Sequence, residues 1–155
     1  MASKEIKIGD KAPEFTLRSM DGGDISLKDY VGKNTVVLYF YPKDHTPGCT
    51  KEACEFRDNF RKFNSKDAVI LGVSLDGQVS HRKFIQKHDL PFPLLSDEDA
   101  KVSTVYGVYK EKKLYGRTFW GIVRTTFVIG PNGRILAIYP KVKVEGHVEE
   151  VLASL

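Results

Sequence analysis

The chain has 155 residues, with 24 lysines and arginines against 20 acids and a formal net charge of +4. At 41% hydrophobic and 28% charged residues, it reads as one ordinary globular domain over residues 1–155, long enough to bury a sizeable core. No apolar run is long enough to cross a bilayer, the densest basic run (Lys110-Glu111-Lys112-Lys113) already holds a glutamate, and two cysteines are too few for a disulfide scaffold or a four-thiolate zinc site; membrane, nucleic-acid and stapled-scaffold classes are thereby set aside. The opening MASKEIKIGD has no apolar stretch after its charges, so no secretory signal is expected, and a cytoplasmic setting with reduced thiols is.

In chain order, EFTLRSMDGGDISL (14–27) alternates apolar and polar residues around Asp21-Gly22-Gly23, the pattern of a hairpin. Ser26 caps a short helix over 27–32. The run TVVLYFY (35–41) is β-branched and aromatic throughout, as in a strand buried on both faces. The loop PKDHTPG follows. The spacing of Cys49, Ala53, Phe56, Phe60 and Phe63 then predicts a helix over 48–63. A second buried strand falls at 68–76. A helix at 78–89 turns Phe84 and Ile85 inward. FPLLSD (92–97) opens a short strand and a capped helix bearing Val102, Val105 and Tyr106. RTTFVIG and RILAIYP flank Pro131-Asn132-Gly133, a hairpin signal, and a last helix presents Val148, Val151, Leu152 and Leu155. Helices alternating with buried strands imply an α/β fold with a mixed sheet flanked by helices, a thioredoxin-like arrangement with an N-terminal β-hairpin extension. The cysteines lie where the first buried strand gives way to a helix, the edge where open α/β sheets bind ligands.

Cys49 and Cys54 are five residues apart. In an intact helix that spacing puts their α-carbons roughly 8.6 Å apart and about 140° around the axis, beyond the ~7 Å that a disulfide spans. A permanent bridge is not expected; a pair that cycles, with local unwinding, is. Cys49 sits on the inward stripe in the first turn, where unpaired N–H groups and the helix dipole favour a thiolate. Cys54 lies about 100° off that stripe, beside Arg57 and Asp58 on the flank facing water. Cys49 is thus the candidate nucleophile and Cys54 the candidate second thiol, although a small side chain filling a half-buried position also accounts for Cys54. Ionisation alone does not make such a thiol fast. Dropping a thiol from pKa ~8.5 to ~6 raises the thiolate fraction about thirtyfold at pH 7, but loses about tenfold in nucleophilicity. Donors must also stabilise charge on the leaving atom.

The stretch PKDHTPGC, with Pro42, Thr46 and Cys49 in the spacing P-x3-T-x2-C, resembles the active-site signature of peroxiredoxins. CTKEACEFRD, with its second cysteine five positions on, looks like the Q subgroup, or bacterioferritin comigratory proteins. GDKAPEFTL, VILGVS, PFPLLSD and YGRTFWGIVRTTFVIGPNG extend the resemblance over nearly the whole chain. It implies a thiol-dependent peroxidase for hydrogen peroxide and organic hydroperoxides. Cys49 matches the peroxidatic cysteine, which becomes a sulfenic acid. Thr46 matches the threonine that touches thiolate and peroxide, and Arg124 the arginine whose fixed charge favours the Cys49 thiolate and holds the peroxide oxygens in line. Pro42 matches the proline that shields the site, and Cys54 the resolving cysteine that closes an intramolecular disulfide. A thioredoxin or similar thiol reductant is the implied partner. No cofactor and no metal are implied, and an intramolecular scheme needs no second subunit, so a monomer is expected.

The other candidates have plainer explanations. His45 reads as a solvated loop residue, His81 and His88 as edging the core, and His147 as facing solvent at the start of the last helix. Trp120 either walls the pocket or packs. A disulfide oxidoreductase would use C-x-x-C, and a metal module built on His45, Cys49 and Cys54 lacks ligands and spacing. A non-enzymatic redox sensor shares the thiol chemistry and differs only in turnover.

Overall fold

The computed structural model describes residues 5–155. The N-terminal hairpin is present: β1 (Thr16–Ser19) pairs antiparallel with β2 (Asp24–Ser26), followed by one 3-10 turn at Leu27–Asp29, where the Ser26 N–H donates to Asp29 Oδ2 at 3.0 Å. Then come β3 (Thr35–Phe40), α1 (Pro47–Asp58), α2 (Phe60–Ser65), β4 (Ala68–Ser74), α3 (Gln78–His88), β5 (Leu94–Ser96) and α4 (Lys101–Val105). The chain continues through β6 (Tyr109–Leu114), β7 (Arg117–Ile122), β8 (Thr125–Ile129) and β9 (Ile135–Tyr139), and closes on α5 (His147–Ala153). Seven strands form one sheet in the order β2-β1-β5-β4-β3-β8-β9, with β3, β4 and β5 parallel and the outer pairs antiparallel. This is the expected mixed sheet, and the hairpin extends its edge by pairing β1 with β5. None of the helices among the described residues is long and apolar enough to cross a membrane.

Alternate side chains of β3 feed two cores, as strand geometry requires. Val36, Leu38 and Phe40 join Leu71, Val73, Phe127 and Tyr106 on one face. Val37, Tyr39 and Tyr41 join Cys49, Ala53, Phe56, Phe63, Phe84 and Val148 on the other, so Cys49 is part of a packed core. Gly72 on β4 is needed there. A Cβ on it would sit 2.7 Å from Leu94 Cδ2 and 2.9 Å from the Tyr39 hydroxyl, closer than atoms pack. The missing side chain lets Tyr39 lie across the strand and stack on Phe56, with centroids 4.7 Å apart.

The helix expected over 27–32 shrinks to the single 3-10 turn Leu27–Asp29, and two further elements differ from expectation. The helix predicted over 48–63 breaks at Asn59 (φ −107°, ψ 8°), whose amide donates to Glu55 O at 2.8 Å. Such competition for backbone carbonyls is why asparagine interrupts helices. A hairpin without a counterpart in the sequence reading, β6–β7, forms a separate two-stranded sheet. Its turn is made by Tyr115 (φ 52°) and Gly116 (φ 76°), the left-handed pair that two-residue hairpins require. Gly116 was the signal; a tyrosine in the preceding left-handed position masks it.

Candidate active site

The site is built where β3 ends. Tyr41 is buried, Pro42 is half-buried, and the loop swings through His45 at φ 65° to Thr46, at the N-cap position of α1. The Thr46 hydroxyl does not cap the helix. It donates to Lys43 O at 2.7 Å, which leaves its lone pairs free to accept a hydrogen bond. Pro47 at the first helical position suits the start of a helix. Cys49 follows in the first turn, 1% exposed. Arg124, immediately before β8, reaches across to it: Nη2 donates to Cys49 Sγ at 3.3 Å, while Nη1 donates to Glu52 Oε1 at 2.6 Å. Arg124 itself is held by its main chain, whose carbonyl accepts from Val142 N–H at 2.9 Å. The structure therefore brings Cys49 and Arg124, 75 residues apart in sequence, into contact, with Thr46 one turn ahead and Pro42 at the loop entry. Gly48 makes room: a Cβ there would stand 3.1 Å from Arg124 Nη2.

Cys54 lies in the same unbroken helix, half-buried, and both cysteines are free thiols. Its neighbour Arg57 donates to His88 O at 2.7 Å and pairs with Asp58 at 3.0 Å. The pair therefore cannot bridge while α1 is wound.

Three features had no place in the sequence reading. Glu52 is fully buried and takes one of the two Arg124 nitrogens; burial pushes it up to about 7 against the pull of Arg124. Only its i+3 relation to Cys49 hinted at it. Lys112, from the mixed-charge run at 110–113, folds inward on β6 and donates to Ile122 O at 2.8 Å. Its burial, and then the nearby Arg124, hold it below the usual lysine range, while Cys49 pulls the other way. Finally, Asp44 anchors the loop from beneath. Its carboxylate meets Tyr41 Oη at 2.6 Å, Ser80 Oγ at 2.8 Å and His81 Nδ1 at 2.7 Å, and its N–H donates to Asp76 Oδ2 at 2.8 Å. Burial raises the Asp44 carboxyl, but these partners, His81 foremost, outweigh it and hold it below the usual range. Asp44, Asp76 and His81 place ligand atoms within 4.8 Å of one another, as a metal would need. Those atoms already bond each other, Ser74 and Leu95, so the trio is a self-satisfied network.

The remaining histidines divide. His45 is exposed and His88 half-buried, each edge-on to Phe84. His147 does not face solvent as expected: it is 3% exposed, its Nε2 lies 2.8 Å from Thr126 Oγ1, and its ring edges Tyr139. Thr126 on β8 offers a buried partner that the sequence does not place beside it, and burial, helped by Arg124, lowers His147 to about 4. Trp120 is exposed on β7 and packs on Tyr109, with centroids 5.6 Å apart.

Known proteins resemble this chain in sequence and in fold. The AhpC/TSA family profile matches residues 8–138. Peroxiredoxin Bcp of Bacillus subtilis is 51% identical over 150 residues, covering 97% of this chain and 95% of the relative. A cysteine-to-serine mutant of PrxQ from Xylella fastidiosa superposes with a TM-score of 0.91 at 41% identity, covering 97% and 96% of the two chains. The bacterioferritin comigratory protein of Xanthomonas campestris, whose structures address its alkyl peroxide reduction activity, gives 0.87 at 38% identity over 96% and 94%. The thioredoxin-like peroxiredoxin fold is thereby established, and the chain belongs to the AhpC/TSA family as a peroxiredoxin of the Bcp/Q type.

Proposed function

We propose that residues 1–155 act as one domain in which Cys49 is the peroxidatic thiolate, Cys54 its resolving partner, and Arg124, Thr46 and Pro42 the groups that shape the first step. The observation that carries this is the Arg124 guanidinium 3.3 Å from a buried sulfur at the start of a helix that also bears the second thiol. The sulfur attacks the terminal oxygen of a hydroperoxide. An S–O bond forms, the O–O bond breaks, and the departing oxygen leaves as water or alcohol after taking a proton. Arg124 offers fixed donors along the line of charge transfer, an effect worth about 10²–10³ in rate for a well-placed donor. The unoccupied lone pairs of Thr46 suit it to accept the peroxide O–H. Pro42 closes the loop entry against water.

The sulfenic acid is then attacked by Cys54. A disulfide forms and water leaves, once α1 has unwound between the two sulfurs. A thioredoxin-type dithiol in a reducing cytoplasm restores both thiols by exchange. Hydrogen peroxide and organic hydroperoxides are both substrates in this reading, and an intramolecular cycle runs in a monomer. Stopped-flow oxidation of the reduced chain by hydrogen peroxide and by an alkyl hydroperoxide tests it. Second-order loss of both thiols, giving a monomer two hydrogens lighter, is expected; thiols that survive either oxidant sink the corresponding substrate assignment. Catalytic loss of peroxide with a thioredoxin system separates an enzyme from a sensor that turns over once.

A further inference from the structure

Cys49 and Glu52 are three residues apart on one face of α1, and they divide Arg124 between them, Nη2 at 3.3 Å from the sulfur and Nη1 at 2.6 Å from Glu52 Oε1. Glu52 is fully buried, and its other oxygen has no donor among the described residues. A carboxylate calls for donors on both oxygens, so a buried one served on one side only is better off protonated. Burial, with Glu55 adding to it and Arg124 opposing, pushes Glu52 up to about 7. The other charged or titratable groups facing this cluster are Lys112 on β6, Tyr39 on β3 and His147 on α5. One guanidinium thus confronts two groups that can each become an anion, in a setting where a second uncompensated charge is costly.

We propose that Glu52 compensates the charge of Cys49, keeping its proton while the sulfur is a thiolate and releasing it when oxidation neutralises the sulfur. This rests on the peroxidase reading and deepens it. Thiolate, hydroperoxide and protonated Glu52 go to sulfenic acid, alcohol or water, and ionised Glu52. The sulfur is oxidised by two electrons, the peroxide is reduced by two, and the proton that Glu52 gives up equals the one the departing oxygen needs. Arg124 faces one anion before and one after, so the buried cluster never changes net charge. Glu52 acts through Arg124 and is a positioning residue. When the reductant restores the Cys49 thiolate, Glu52 takes its proton back.

The test is a proton count. A Cys54→Ser chain, which stops at the sulfenic acid, is oxidised with one equivalent of hydrogen peroxide in weak buffer containing a pH indicator. With Glu52 present, uptake from solution is expected to be well below one proton per sulfenic acid near pH 6.5 and to rise toward one by about pH 8.5, as Glu52 becomes ionised beforehand. With Glu52→Gln added, uptake should stay near one across that range. Identical uptake in the two proteins overturns the proposal. Should the double variant not fold, the infrared difference spectrum of the Cys54→Ser chain decides: oxidation near pH 6.5 should remove a protonated-carboxyl C=O band, and an unchanged band overturns it. Peroxide left unconsumed by the Cys54→Ser chain defeats the peroxidase reading and this inference together. Peroxide consumed with unaltered proton uptake defeats the inference alone.

Discussion

Cys49 and Cys54 share one unbroken helix, yet one side of it is locked and the other is loose. The Cys49 side buries Glu52, Ala53 and Phe56 against the sheet and is clamped by Arg124. The Cys54 side is half open to solvent, tied to the body through Arg57 and the His88 carbonyl. In the proposed cycle the two steps make opposite demands on this helix. Attack on a peroxide needs donors fixed in advance, whereas closing the disulfide needs the same helix to come apart. The first turn is suited to both. It starts with a threonine whose hydroxyl is turned to Lys43 O instead of capping, and it contains Gly48, features that lower helix stability by about 1 kcal/mol each. An uncapped first turn containing a glycine is easier to unwind, which the proposed resolution step requires.

Breaking the locked side outright has the largest effect: Cys49→Ser is expected to take peroxide consumption below detection, and sustained turnover by that variant would refute the assignment. Breaking the loose side comes next. Cys54→Ser should oxidise Cys49 within about threefold of the normal rate but fail to cycle with a thioredoxin system, unless a second chain or an added thiol resolves it. Arg124→Ala should slow the first oxidation by about 10²–10³-fold, with an unchanged second-order rate counting against the clamp.

Glu52 sharpens the contrast through stability. Its folded pKa of about 7 lies above its ordinary value of 4.5, so its favourable contribution is complete below about pH 4.5 and is lost as pH rises through about 7, by about 3 kcal/mol. Glu52→Gln should abolish that slope in denaturant melts of the reduced protein. His147, lowered from 6.5 to about 4, acts in the other direction: its contribution is complete above about pH 6.5 and fades as pH falls toward 4. The two slopes overlap in the unmodified chain, so the Gln variant should expose the His147 limb; a profile unaffected by that substitution contradicts the Glu52 assignment. The smallest effect belongs to Gly48→Ala, which firms the first turn and puts a Cβ 3.1 Å from Arg124 Nη2. A resolution step slowed about threefold, read as delayed disulfide formation by mass, is expected.

Much of this was legible in order along the chain. Buried strands announce themselves as apolar runs and helices as stripes, so 35–41, the start of α1, α3, the 124–140 hairpin and α5 could be placed from local pattern. The break at Asn59 and the β6–β7 turn were not, because each depends on one residue taking a minority conformation, φ −107° with an amide on Glu55 O in one case and a left-handed tyrosine in the other. Burial of His147 and the Asp44–His81 pair were invisible for a different reason. Their partners, Thr126 on β8 and Asp44 in the loop after β3, are brought in by the fold from 21 and 37 residues away.

From the residues alone it follows that two thiols lie on one helix at a spacing that helix cannot bridge, because rise and turn per residue are properties of the backbone alone. The same residues also supplied the Pro42, Thr46, Cys49 and Arg124 pattern as a resemblance. What surrounds the sulfur came only with the folded arrangement: which nitrogen of Arg124 faces it, that Glu52 takes the other, and that Lys112 folds back beside them. Those relations are set by how β8 and β6 pack against α1, and electrostatics in a buried site depends on such distances and on the exclusion of water, neither of which is written in local sequence.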